Sequence, residues 1–189
     1  LAPDSRWHLS IALHLTYCYL YMHDLDAAQK LLDEVTCGKM GAALQKNLLS
    51  KGLYHYLSSC VAYMQGQYHE SWVRLQDCQD GNLGKETWLT AMRLFEVMLL
   101  VDKGQGDIAS QKLENLRKHL ARYNSPQRMR TIYKLLAAQD RIEFSFGPVP
   151  GEEAELERLR TELPWDALSQ EVVRFEDWYL AHRQRKDKK

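Results

Sequence analysis

The sequence has no run of about 18 apolar residues, so no stretch is patterned to cross a bilayer as a helix. It has no net charge either. Its 25 basic and 25 acidic residues cancel, which leaves no global field to draw nucleic acid or an anionic membrane. Cysteine is sparse: Cys18, Cys37, Cys60 and Cys78 form no CxxC pair. We read them as packing thiols in a reducing compartment rather than as disulfides. The histidines, His8, His14, His23, His55, His69, His119 and His182, make no HxxxH or HExxH, and no cysteine stands at a ligand spacing from one of them. The neighbours His69 and Glu70 fall at a turn and read as a solvated pair. There is no GxSxG for a nucleophile and no GxxxxGK or GxGxxG for phosphates. Glu152 and Glu153 belong to an exposed acidic helix. No stretch alternates as a strand would. These absences argue against an enzyme, and no cofactor or metal is expected. The first residues carry neither a Met nor a charged-then-apolar leader pattern, so the expectation is an excised or processed piece of a longer chain.

What is present is helical. The 189 residues suffice for a packed core without staples. They are organised around Cys60 to Gln79, a helix, a turn at Gly66-Gln67 and a second helix. Gly66 supplies the backbone conformation that closes the first helix. Tyr68, two residues on, plugs the hairpin, and Ser71, three further, lets the helices approach. This spacing resembles the second half of a tetratricopeptide-type repeat, although His55, Ser58 and Ser59 replace the larger apolar, Leu and Gly residues of its first helix. His23 to Ala28 and Gly104 to Ala109 stand at the same place in two further copies, 43 residues upstream and 38 downstream of the central one. The ideal period is about 34, so helices or loops here are longer. The alternative is a set of unrelated hairpins in an ordinary bundle.

Taken in order, the pattern predicts helices over 4–22, 26–36, 41–65, 68–77, 85–103, 107–123, 126–144, 152–162 and 169–185. Trp7, Ile11, Leu15, Cys18 and Met22 give the first its helical period. Tyr17, Tyr19, Leu20 and Tyr21 widen that apolar surface. Pro3-Asp4 is the expected cap region of this helix. Gly38 is expected to end the second helix, Gly52 to mark a close crossing in the third, and residues 81–84 to form a loop. Ser125 is read as an N-cap with Pro126 at the first helical position. The segment from Gly147 to Gly151, rich in Gly and Pro, is the clearest break. It divides an expected repeat domain, 1–146, from a C-terminal segment, 147–189, that packs on the repeats.

Charge is unevenly placed. Residues 103–141 carry a net +6 and residues 143–177 a net −7. The acidic segment either folds back over the basic helices, which we favour, or leaves a basic face free. The basic helices 112–134 and the tail Arg183, Arg185, Lys186, Lys188 and Lys189 underlie an alternative reading as a regulatory or nucleic-acid-associated helical domain. The preferred reading is a non-enzymatic scaffold. In tetratricopeptide repeats the first helices line a groove for peptides or helices. Carried over by position, that groove comprises Tyr17, Tyr21, Tyr56, Tyr63, Met64 and Met98. This apolar, aromatic set suits an amphipathic helix or apolar peptide from an unknown protein partner. It lacks the cations that would clamp a terminal carboxylate. The final aromatic helix, VVRFEDWYL, is a competing occupant of the same groove.

The apolar helix before Gly104-Gln105-Gly106-Asp107, the run Arg117 to Leu120, and Phe175-Glu176-Asp177-Trp178 together resemble the C-terminal region of large tetratricopeptide-like proteins from the Bacteroidota, over roughly residues 88–189. Gly106 stands where that pattern has an aromatic. The resemblance implies a helical-repeat fold in a cytoplasmic bacterial chain, and no activity. The chain as a whole reads as an all-α, tetratricopeptide (TPR)-like right-handed stack of three helical hairpins closed by C-terminal helices.

Overall fold

The computed structural model describes residues 5–79, 86–123, 125–166 and 170–186. The expected cap at Pro3-Asp4, the loop at 81–84, the helix start at Ser169 and the tail residues Lys188 and Lys189 lie outside them. Among the described residues the chain is all-helical, with ten helices and no strand. It divides into two compact units, Leu1–Lys85 and Glu86–Lys189.

The first unit holds α1 (Ser5–Tyr21), α2 (Leu25–Val35), α3 (Gly38–Lys46), α4 (Leu48–Met64) and α5 (Tyr68–Gln79). α1 pairs with α2 and α4 with α5, and α1 also packs on α3 and α4. The second unit holds α6 (Glu86–Asp102), α7 (Gly106–Arg122), α8 (Gln127–Asp140), α9 (Glu152–Thr161) and α10 (Phe175–Lys186). Here α6 pairs with α7, α7 with α8, and α8 with α9.

The three turns picked out by sequence close alike. His23, Gly66 and Gly104 take left-handed φ of 57°, 76° and 69°. The N–H of each donates to the carbonyl three residues back, Leu20, Tyr63 and Val101. The next N–H donates five back, to Tyr19, Ala62 and Leu100. This is the Schellman closure, in which a left-handed residue lets the last turn satisfy its own carbonyls. Five residues after each lies a small, fully buried side chain: Ala28, Ser71 and Ala109. At the central hairpin Ser59 and Ser71 interlock. The Ser59 hydroxyl donates to the Ser71 carbonyl at 2.7 Å, and the Ser71 hydroxyl donates to the Ser59 carbonyl at 2.9 Å. Two serines thus replace the close contact that Gly and Ala would give, with every hydroxyl satisfied. The crossing expected at Gly52 is there too: Cys78 Sγ of α5 lies 3.2 Å from the Gly52 carbonyl oxygen.

Five expectations need correction. The single helix over 41–65 is two helices, because Asn47 is extended (φ −120°, ψ 100°) and its side-chain oxygen accepts the Ser50 N–H at 3.1 Å, which starts α4 afresh. Gly38 does not merely end α2. It opens α3, and Gly41 follows in a junction so tight that a Cβ would meet the Thr36 carbonyl oxygen at 2.2 Å. The Ser125 cap falls one residue later, with Pro126 in the cap position and Gln127 the first helical residue. The last helix begins at Phe175 instead of 169, because the Glu171 carboxylate accepts the Phe175 N–H at 2.9 Å and fixes the first turn there. The fifth concerns the thiols, expected as packing residues: Cys60 and Cys78 are buried, but Cys18 and Cys37 are exposed, and all four are free.

In the second unit the segment after Gly147 meets α6 and α8. Arg128 of α8, buried, donates to Glu171 and Glu176, both 2 % exposed, and to the Leu163 carbonyl. Trp178 and His182 of α10 reach Asp102, the last residue of α6, at 2.9 and 2.8 Å. Phe146 stacks on His182 with centroids 4.3 Å apart. Gln139 bonds the Tyr179 hydroxyl at 2.7 Å. The basic and acidic blocks of the sequence therefore meet at Arg128 and again at Lys134–Glu155, 3.1 Å.

Candidate functional site

Five of the six groove candidates lie in the first unit. Tyr17 and Tyr21, one turn apart on α1, meet edge to face at 4.8 Å, and the Tyr17 hydroxyl donates to that of Tyr21 at 3.1 Å. Both are half-buried. On α4, Tyr56, Cys60 and Tyr63 share a face at steps of four and three. Tyr56 is only 1 % exposed. Burial raises its hydroxyl well above the usual range, reinforced by Cys60 and by Tyr17 of α1. Helices α1 and α4, which carry these tyrosines, pack on one another. Tyr63 and Met64 are half-buried at the C-terminal end of α4. The Tyr63 ring tilts against Tyr68 of α5 at 5.4 Å, so Tyr68 plugs the hairpin as its spacing suggested.

Met98 is set apart. It belongs to α6 of the second unit and is 1 % exposed. One turn past it, Asp102 receives Trp178 and His182. The partly exposed part of the candidate set in the first unit is therefore Tyr17, Tyr21, Tyr63 and Met64, while Tyr56 is buried. Its chemistry is that of contact: large rigid rings that bury area at low entropic cost, with hydroxyls to orient a ligand.

Burial pushes the Cys78 thiol up to about 12, and Cys60 higher still, which holds both as inert thiols at neutral pH. Among the described residues no group of three His, Cys, Asp or Glu side chains converges as a metal site would. Among the same residues no helix is long and apolar enough to cross a membrane.

Sequence reasoning missed the outer face of α1. Trp7, Ile11, Leu15, Cys18 and Met22, which set the helical period, point outward; Trp7 is 71 % and Ile11 53 % exposed. The core face is Leu9, Ala12, Leu13, Thr16 and Leu20. Both sets recur at steps of three and four, so periodicity alone could not rank them. Compared with known protein families, with curated proteins and with solved structures, the chain matches none.

Proposed function

We propose that the chain is a protein-interaction module of tetratricopeptide-like hairpins. It performs no chemistry of its own and holds a peptide or helix of a partner protein against the tyrosine face of α1 and α4. The observation that carries this reading is the placement of Tyr17, Tyr21, Tyr63 and Met64, half-exposed, on the first helices of two consecutive hairpins. That is where repeats of this type present their ligand surface. The like closure of all three turns supports reading the hairpins as copies of one unit. The resemblance to helical-repeat chains of the Bacteroidota belongs to the same reading. So does a cytoplasmic setting.

A nucleic-acid role for helices 112–134 is less well supported. Lys112, Arg117, Lys118, Arg128 and Lys134 each lie beside a carboxylate. The test is to select peptide ligands against the whole chain and measure them at low and high salt. The proposal expects binding that changes little with salt and weakens about ten-fold on Tyr17→Ala or Tyr63→Ala. Binding of single-stranded RNA or duplex DNA with a steep salt dependence would replace it with the alternative.

A further inference from the structure

The flank of α1 away from the tyrosine pair carries a second surface. α3 lies along it, and two open cavities adjoin at Lys39. One, of about 390 Å³, is apolar, walled by Ile11, Leu15, Leu31 and Met40. The other, of about 610 Å³, is lined by Arg6, Lys39 and Lys46 with Leu48 and Leu49. Leu48 and Leu49 are 61 % and 52 % exposed at the start of α4. None of the described lining residues is acidic, and among the described residues neither Lys39 nor Lys46 meets a carboxylate.

We propose that this groove between α1 and α3 docks an acidic amphipathic helix of a partner protein, with apolar side chains against Ile11, Leu15 and Leu48 and carboxylates on Lys39 and Lys46. The charge selects this occupant. A second copy would bring the same patch onto itself across a two-fold axis, setting Lys39 and Lys46 against their like. The chain's own acidic helix, α9, is already committed: Leu156 and Leu159 are buried and Glu155 pairs with Lys134. From Arg6 to Leu15 the wall runs roughly 14 Å, the length of two to three helical turns. That matches the helix-in-groove mode of recognition. The surface is separate from the tyrosine face, so either can fail alone.

The test pans random displayed peptides of about 16 residues, enough for four helical turns, on the immobilised 189-residue chain. Selected peptides are then labelled with fluorescein and measured by anisotropy. The expected ligands carry acidic residues flanking apolar ones at steps of three and four. Their affinity falls about ten-fold or more on Ile11→Asp and on Lys39→Glu with Lys46→Glu, and holds for Arg122→Glu on α7 of the second unit. Far-UV circular dichroism confirms that these surface variants fold. The proposal is overturned if no selected peptide responds to either change, or if the responsive ones are basic. Dimerisation by sedimentation that Ile11→Asp abolishes, or binding of phosphatidylserine vesicles lost with the same substitutions, overturns it as well.

Discussion

Replacing Arg128 by methionine tests how the C-terminal segment is held. Arg128 makes five hydrogen bonds: two to Glu171 at 2.8 Å, two to Glu176 at 2.9 and 2.6 Å, and one to the Leu163 carbonyl at 2.9 Å. Both carboxylates are 2 % exposed. Methionine keeps much of the volume but leaves two carboxylates buried together. Breaking a buried pair by removing one partner costs about 3–5 kcal/mol, which corresponds to roughly 12–20 °C in the melting of a unit of this size. One guanidinium shared by two carboxylates leaves the site net negative. Burial accordingly pushes the Glu171 carboxyl above its ordinary value of 4.5, against the opposing pull of Arg128, while Glu176 adds to the rise. A raised carboxyl binds its proton more tightly in the folded than in the unfolded state. Its stabilising contribution is therefore complete below pH 4.5 and is lost as pH rises through the higher folded value. Urea unfolding followed by circular dichroism should thus show Arg128→Met losing less stability at pH 5 than at pH 8. The triple variant with Glu171→Gln and Glu176→Gln should recover more than half of the loss. A loss below about 1 kcal/mol, typical of exposed pairs, or one that does not vary with pH, would refute the buried triad.

Other outcomes follow from single sites. Ser71→Leu, forced between α4 and α5 where Ser59 now bonds, should cost about 1–3 kcal/mol by overpacking, read as a shift in urea midpoint. Ser71→Ala should cost only about 1 kcal/mol, because the Ser59 hydroxyl keeps the residue-71 carbonyl. His23→Gly relieves a left-handed side chain at φ 57° and should raise stability by about 0.5–1 kcal/mol, seen as a higher melting temperature. Ellman's reagent should titrate the exposed Cys18 and Cys37 in the native chain, and Cys60 and Cys78 only after denaturation.

Turn chemistry made the hairpins legible. Gly66 and Gly104 announce themselves, and Ala28, Ser71 and Ala109 mark the close contacts five residues on. His23 was found only by alignment to them, since no side chain advertises a left-handed backbone. The break at Asn47 was hidden because Leu44, Leu48, Leu49 and Leu53 run through it in helical register; only the capping oxygen of Asn47 marks it. Glu171 reads as one acid among many until the fold brings Arg128, 43 residues earlier, beside it. The candidate face was readable in part. Tyr17, Tyr21, Tyr63 and Met64 keep half-exposed positions. Tyr56 and Met98 are buried, because a large apolar residue on a first helix serves the core as readily as a groove. On α1 two apolar stripes share one period, and only packing shows which of them faces water.

The central claim, that the first helices α1 and α4 together hold a protein ligand, is tested most directly by photo-crosslinking. Benzoylphenylalanine is placed singly at Tyr21, at Met64 and, as a control, at Arg122, and each chain is irradiated with a selected peptide ligand. The account predicts crosslinks from positions 21 and 64 to the same peptide and none from 122. Crosslinks from 122 alone, or from neither 21 nor 64 with the peptide bound, would contradict it.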